Sequence, residues 1–297
     1  MRITQQFLFN GLLKELSRNR EMLAEFQDQL STGKRVTKAS DDGVAFGISR
    51  SLENVLRKNE QFKSNISTGL SQARSTQQSL QDMVDIMIDL QKVAVNGSTD
   101  TLAEDDRLSL ADEVASFRDQ MIDLANSKYN NTYLFAGTNS DTVPFTPDGT
   151  ATGGVADSST SQPLKIQLSS HATIETSITG SDLRDTDAGD LFEVFESVEN
   201  ALRNDDTTAL KNTMGDIETA TDHIIGLTSG IGSNINRMQF VTNQIESQSI
   251  NQEAEISQLT DTDYAEAISN FQKHETTYNA ALNVHARITQ TSLLNYI

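Results

Sequence analysis

Apolar residues recur at alternating steps of three and four near the start of the chain, the spacing of a helix that buries one narrow stripe. The stripe predicts a first helix that ends near Gly33, a residue that readily takes the left-handed cap conformation. Asn19 is the polar position inside the stripe. A buried Asn there would fix the helix register, whereas an Asn at its edge would not. The predicted packing seam on this helix consists of Phe9, Leu12, Leu16, Leu23, Phe26 and Leu30.

A second helix start follows at Ser40-Asp41-Asp42. We expect Ser40 to cap the free N–H groups of the first turn, and the two Asp residues to favour the positive end of the helix dipole. Beyond this point one three-four register holds from Leu52 to Ala94, and Asn96-Gly97 interrupts it. The pattern therefore predicts a helix of about 50 residues, roughly 75–80 Å long.

A change of pattern follows a third predicted helix at about 105–126. Residues 129–137 are aromatic-rich and extended, and residues 138–190 contain all three Pro and much Gly, Ser, Thr and Asp. Two stretches, 164–168 and 172–178, alternate as strands do. This part of the chain is predicted to be a small β-rich insert.

Helical periodicity returns at Asp190, continues from Asp205-Asp206, and restarts at Asp261. Both chain ends then present an apolar stripe that must be buried, so they are expected to pack together as antiparallel partners. The predicted fold class is mainly α: an elongated bundle of long coiled-coil-like helices from both chain ends, with a small β-rich inserted outer domain. The predicted seam on the terminal helix consists of Ile268, Phe271, Tyr278, Leu282, Ile288, Leu293 and Leu294.

Three domains follow from this layout. Residues 1–40 and 260–297 are expected to form an inner domain of terminal helices. Residues 41–137 and 190–259 are expected to form a helical domain, and residues 138–189 the β-rich outer domain.

Composition narrows the possible functions of the 297 residues. The net charge of −19 argues against nucleic acid, because phosphate binding needs a basic patch. No run approaches the roughly 18 apolar residues of a membrane span, so no membrane insertion is expected. The start of the chain has no apolar signal-peptide region, which predicts either a cytoplasmic protein or export without cleavage.

No constellation of residues predicts catalysis. The run Ser31-Thr32-Gly33-Lys34-Arg35 lacks the first Gly of a phosphate loop, since position 28 is Asp28. The four His are not spaced as metal ligands and the chain has no Cys. Acidic pairs such as Asp205-Asp206 fall at helix starts, where capping explains them. We expect no catalytic residues, no cofactor and no metal, although an enzyme on a helical scaffold stays a formal alternative.

Two motifs near the chain ends carry a family resemblance. The run Leu30-Ser31-Thr32-Gly33-Lys34-Arg35-Val36, followed by Lys38-Ala39-Ser40-Asp41-Asp42, resembles the N-terminal signature of the flagellin family of bacterial axial proteins. The run Tyr278-Asn279-Ala280-Ala281-Leu282 and the ending Ser292-Leu293-Leu294-Asn295-Tyr296-Ile297 resemble its C-terminal signature. Gly43 departs from the family pattern, which commonly has Pro after the acidic pair. The resemblance covers about residues 1–137 and 190–297.

The opening Met1-Arg2-Ile3-Thr4 and the segment Tyr133-Leu134-Phe135-Ala136-Gly137-Thr138 are similar to members found between hook and filament. The resemblance implies a structural subunit of the bacterial flagellum, exported without a cleaved signal peptide and extracellular. The implied partners are further copies of itself in a ring, a hook-associated protein on the hook side, flagellin on the filament side and a cytoplasmic export chaperone. The alternatives are flagellin itself and, more remotely, a signalling coiled-coil rod.

Marginal helices at both ends suggest how assembly proceeds. A lone helix of about 30 residues rich in Gln, Ser, Asn and Thr is marginal in water. We therefore hypothesise that residues 1–40 and about 260–297 are disordered in the free monomer and fold when neighbouring subunits cover them. A truncation after His285 is expected to block assembly and leave the central body folded.

Overall fold

The computed structural model describes residues 2–99, 102–147, 149–150, 161–187 and 189–294, without the side chains of 2–6, 8–9 and 288–294. The described chain is mainly α, with long terminal helices that pack together and a few short strands between them, as predicted. Its α-helices are α1 (Arg2–Thr32), α2 (Gly43–Gly97), α3 (Glu104–Ala125), α4 (Gly180–Arg184), α5 (Leu191–Arg203), α6 (Thr207–Thr260) and α7 (Tyr264–Leu294).

Aspartates begin several of these helices, because a carboxylate accepts N–H groups that have no partner within the helix. The side chain of Asp190 accepts from the backbone N–H of Phe192 at the start of α5. The side chains of Asp206 and Asp263 do the same at the starts of α6 and α7. Asp206 of the pair Asp205-Asp206 therefore caps its helix as predicted. The pair Asp105-Asp106 does not, because it lies inside the first turn of α3, which begins after Ala103 without a side-chain cap.

At the start of α2 the capping residue differs from the one predicted. Asp42 Oδ1 accepts the N–H groups of Val44 at 3.1 Å and Ala45 at 3.0 Å. The Ser40 hydroxyl lies at 3.3 Å from Asp41 Oδ1. Because α2 begins at Gly43, the position before it belongs to Asp42, and Ser40 lies two residues too early to cap.

Short antiparallel hairpins make up the β structure. Strands β1 (Lys128–Tyr129) and β2 (Thr132–Tyr133) join through Asn130 and Asn131, which have φ of 47° and 67°. Two positive φ values suit the tight turn of a twisted hairpin, and Asn tolerates them. Strands β3 (Lys165–Gln167) and β4 (Thr173–Glu175) pair within the two predicted stretches, with Ile166 opposite Ile174. Strands β5 (Asp185–Thr186) and β6 (Gly189–Asp190) form a third hairpin.

The chain divides into two compact units. The terminal unit comprises Met1–Lys58 and Ser247–Ile297, and the central unit comprises Asn59–Glu246. Helices α2 and α6 contribute residues to each unit. The predicted three-domain division stays a prediction, since two units do not test where a separate β-rich domain would begin.

The central unit has a continuous apolar core. Side chains from α2, α3, α5 and α6 fill it, together with residues of the β hairpins. Its fully buried large side chains include Ile66, Leu80, Met83, Met87, Leu90, Met121, Leu134, Phe135, Phe145, Leu168, Leu183 and Phe195. Phe145 and Phe192 meet edge to face with ring centroids 5.1 Å apart, a favoured aromatic geometry.

A buried arginine joins three segments of the central unit. The guanidinium of Arg107 donates to the carbonyls of Gly97 at 3.0 Å and Thr99 at 2.8 Å, and it pairs with Asp205. Arg107 is only 5% exposed, so its charge is tolerated because every side of it meets an acceptor. The contact ties the end of α2 to the start of α3 and to the turn before α6.

Candidate assembly interface

Helices α1 and α7 of the terminal unit pack against each other in opposite directions. The end of α1 lies beside the start of α7, where Lys34 and Asp261 form an antiparallel bridge. Farther along, Asn19 of α1 meets His274 of α7. Each chain end therefore uses the other as its partner, as the two apolar stripes predict.

The predicted seam of α1 lies on one face of the helix. Leu16 is buried, and Leu12, Leu23, Phe26 and Leu30 are half-buried. Phe9 is in helical backbone, and its side chain is outside those described. The structure therefore places the described α1 positions together, but it leaves most of them partly open to solvent.

On α7 the predicted residues differ in burial. Phe271 and Tyr278 are half-buried, together with His274 and Ala281, whereas Ile268 and Leu282 are exposed. Ile288, Leu293 and Leu294 are in helical backbone and their side chains lie outside those described. The burial of the exposed pair by neighbouring subunits stays a prediction.

A polar cluster lies inside the α1–α7 seam, and the sequence pattern predicts only one of its members, Asn19. His274 Nδ1 is 3.2 Å from Asn19 Oδ1, and the His274 ring stacks on Phe26 with centroids 5.5 Å apart. The Asn19 amide also donates to the Glu15 carbonyl at 3.0 Å. The sequence predicts Asn19 as the polar position of the seam. It does not predict the partner of Asn19, because the position of a His in one helix does not show which other helix that His will contact.

The loops that join α1 to α2 and α6 to α7 are tied together by backbone and side-chain bonds. The N–H groups of Arg35 and Val36 donate to the Thr260 carbonyl, and the N–H of Thr262 donates to the Gly33 carbonyl. Gly33 has φ of 71°, the left-handed conformation predicted for the end of α1. A Cβ at this position would strain the backbone and would lie 2.8 Å from the Tyr264 hydroxyl, which would have to move, so Gly is favoured here.

Charge reinforces this loop contact. Lys34 Nζ lies 2.5 Å from Asp261 Oδ1, and the Ser257 hydroxyl donates to Asp261 Oδ2 at 2.6 Å. These hydrogen bonds, the one from Lys34 first, hold the pKa of Asp261 below its ordinary value. The backbone N–H groups of Thr37 and Lys38 lower the pKa of Asp41 in the same way. Residues 31–35, which partly match a phosphate-binding loop in sequence, therefore connect the α1–α2 loop to the α6–α7 loop.

The described residues hold no group of three or more His, Asp or Glu that could bind a metal ion. His223 borders a groove of about 610 Å³ in the central unit, where its Nε2 lies 2.7 Å from the Asp182 carbonyl. That imidazole has a structural partner already. No helix in the described ranges is both long and apolar enough to span a bilayer.

The described chain is a helical protein whose terminal helices pair through a seam that stays partly exposed. Comparison with known families agrees. Sequence models of the bacterial flagellin N-terminal helical region and C-terminal helical region match residues 3–140 and 214–297. The chain belongs to the flagellin family.

Three known proteins indicate where in the family the similarity lies. Flagellar hook-associated protein 3 of Escherichia coli strain K12 is 26% identical, over 99% of this chain and 98% of that protein. The flagellin of Bacillus subtilis strain 168 is 22% identical, over 98% of this chain and 97% of that protein. The crystal structure of the flagellar junction protein FlgL from Legionella pneumophila superposes with a TM-score of 0.60 at 14% identity, covering 72% of this chain and all of that one. At that identity the superposition shows the shared fold.

Proposed function

We propose that this chain is a structural subunit of the bacterial flagellum that forms the junction between hook and filament. The observation that carries the proposal is the similarity to hook-associated protein 3 along almost the whole length of each chain. The half-filled seam of α1 and α7 supports it, because a subunit of an assembly needs surfaces that a neighbour completes. In this proposal the packing of apolar side chains between neighbouring subunits stabilises the assembly. The chain has a structural role and is not an enzyme.

The proposal includes the partners and the place of the protein. Copies of the chain associate in a ring, with a hook-associated protein on the hook side and flagellin on the filament side. A cytoplasmic export chaperone holds the chain before it leaves the cell without cleavage of a signal peptide. The mature protein is extracellular.

A deletion strain tests this role. Loss of the gene is expected to leave hooks without filaments, with flagellin secreted into the medium, and re-expression of the chain is expected to restore filaments. Filaments of normal length on the deletion strain would refute the proposal.

Flagellin itself is the alternative, and the full-length similarity to a flagellin keeps it in view. It fits less well, because the identity to the hook-associated relative is higher at equal coverage. The two roles differ in the behaviour of the purified protein. A filament subunit polymerises into long filaments, whereas a junction subunit forms only assemblies of limited size.

Folding coupled to assembly is the mechanism that we propose for the terminal helices. In the described part of the terminal unit the buried apolar side chains are few and mostly small: Leu16, Val36, Ala45 and Ala267. So thin a core gives little stability to an isolated pair of long helices. Hydrogen exchange of the free monomer should show rapid exchange in residues 1–40 and 260–297. Slow exchange there would contradict the mechanism.

Truncation after His285 tests the same mechanism from the other side. The variant lacks Ile288, Leu293 and Leu294 and should fail to restore filaments, while its central unit unfolds at the same denaturant concentration as that of the full chain. Normal filaments from this variant would refute the role of the chain end.

A further inference from the structure

Helix α2 begins with an apolar stripe that the described residues of the terminal unit leave exposed. Val44 is 73% exposed, Ile48 41% and Val55 39%. At about 100° per residue these three positions fall within about 40° of one another around the helix. The adjoining flank, which includes Ala45 and Ser49, is buried. We call the exposed row the α2 stripe.

Helix α7 carries a second exposed row at the edge of the face that includes its buried Ala267. Tyr264 is 53% exposed, Ile268 46% and Leu282 42%. They also lie within about 40° of one another. This row, the α7 stripe, opens with the same four-residue step as the α2 stripe, directly after the loop that precedes its helix. Exposed apolar rows of this kind mark interaction surfaces.

Opposite charges accompany the two stripes. Lys58 follows Val55 along the α2 stripe, and Glu275 lies between Ile268 and Leu282 in the α7 stripe. Both side chains are exposed, and neither is ion-paired with another residue in the part of its own chain that the structure describes. The surrounding segments follow the same division: residues 1–58 carry ten Lys and Arg against seven Asp and Glu, and residues 247–297 carry two against six.

We propose that the α2 stripe of one subunit packs against the α7 stripe of a second copy of the same chain. When the α2 stripe of one copy meets the α7 stripe of the next, Lys58 of the first copy comes towards Glu275 of the second. The attraction between these opposite charges favours this pairing over the pairing of two identical stripes. Pairing like stripes would place two lysines or two glutamates together, so the contact is heterologous. A heterologous contact repeats from subunit to subunit and generates a ring or a helix. The proposal rests on the proposed function and assigns the surfaces that form the ring.

The chain has no Cys, so engineered cysteines report the contact without background. Full-length chains carrying Ile48→Cys and Ile268→Cys are mixed at high concentration under mild oxidation. The mixture should form disulfide-linked dimers at least about tenfold faster than either variant alone, because like charges oppose the symmetric contacts. Arg57→Cys replaces Ile48→Cys in the control, since position 57 lies on the far side of the same part of α2.

Charge reversal sharpens the test. Adding Lys58→Glu to the Ile48→Cys chain should abolish the cross-link, and adding Glu275→Lys to the other chain should restore it. Three outcomes would each overturn the proposal. The Ile48→Cys chain could cross-link with itself as fast as with the Ile268→Cys chain, or the mixture could cross-link no faster than the mixture that contains the Arg57→Cys control. The third outcome is a cross-linking rate that neither Lys58→Glu nor Glu275→Lys changes.

The same cysteine pair is probed in sheared flagella, and complementation with the unmodified chain separates this proposal from the proposed function. Restored filaments without the cross-link, in solution and in flagella, would refute the interface and leave the junction role intact. A cross-link without restored filaments would refute the junction role and leave the interface intact.

Discussion

The central and terminal units of this protein bury their apolar residues in opposite ways. In the central unit, helices, hairpins and the Arg107 clamp enclose a continuous core of fully buried side chains. In the terminal unit, α1 and α7 share a seam that is mostly half-buried and contains a polar Asn–His pair. One chain therefore holds a unit with an enclosed core and a unit whose helix seam stays partly open to solvent.

The largest effect is expected from opening the central core. Phe195→Ala should lower the free energy of unfolding by about 3–5 kcal/mol, because it leaves a cavity in a fully buried site. Urea denaturation of the purified chain measures it. Phe240→Ala, at an exposed position of the same unit, is the matched control and should change that free energy by less than about 0.5 kcal/mol.

Leu16→Ala completes this comparison in the terminal unit. It should move the main unfolding transition of the monomer by less than about 1 kcal/mol, because locally weak segments open without the rest. A loss as large as that of Phe195→Ala would show that the two units unfold together and would break the comparison.

Removing the Arg107 clamp is expected to have the next largest effect. Arg107→Met should cost about 2–3 kcal/mol in the same denaturation experiment, because the buried carbonyl of Gly97 loses its donor. Lys92→Met removes an exposed ion pair within α2 and should stay within about 0.5 kcal/mol of the parent. Equal losses from the two variants would mean that the clamp adds nothing beyond surface charge.

At the start of α2 the effect is smaller and local. Asp42→Ala should cost about 1 kcal/mol of helix stability, since the N–H groups of Val44 and Ala45 lose their acceptor. Hydrogen exchange at those two amides measures it. Ser40→Ala should leave the hydrogen-exchange rates of both amides unchanged. If Ser40→Ala increased these rates and Asp42→Ala did not, Ser40 would be the cap.

The smallest effect is expected from the Lys34–Asp261 contact. Because the pKa of Asp261 is lowered in the folded chain, its contribution to stability is present above the ordinary carboxyl pKa and is lost as the pH falls through the folded value. The pair is largely exposed, so the contribution is small and salt weakens it. Carbon-13 titration of Asp261 should show the lowered pKa, and Lys34→Met should raise it. An unchanged pKa in that variant would remove Lys34 as the cause.

Helix positions were predictable because their signals are local. Asp190, Asp206 and Asp263 precede their helices by one position in the sequence, and Gly33 and Gly97 lie at the ends of theirs. The cap of α2 was placed at Ser40 because Ser, Asp and Asp follow one another there and any of them can cap. Only the backbone path shows which one comes directly before the first turn.

The faces of the terminal helices were harder to predict than their lengths. On α1 the three-four pattern identified the packed side, because its large residues form one narrow row. On α7 the large residues Ile268 and Leu282 are exposed, while Ala267, Ala281 and His274 lie on the side that is buried or half-buried. Size and polarity identified the half-buried Phe271 and Tyr278, but they did not separate these two from the exposed Ile268 and Leu282.

By itself the sequence determined the helical class, the helix ends and the pairing of the two chain ends, because periodicity and capping act between residues a few positions apart. The tertiary structure decided which side of α7 meets α1, that Asn19 faces His274, and that Arg107 is buried against Gly97, Thr99 and Asp205. These contacts join residues 8 to 255 positions apart. Which of them form depends on how all the helices pack at once, and no local pattern contains that information.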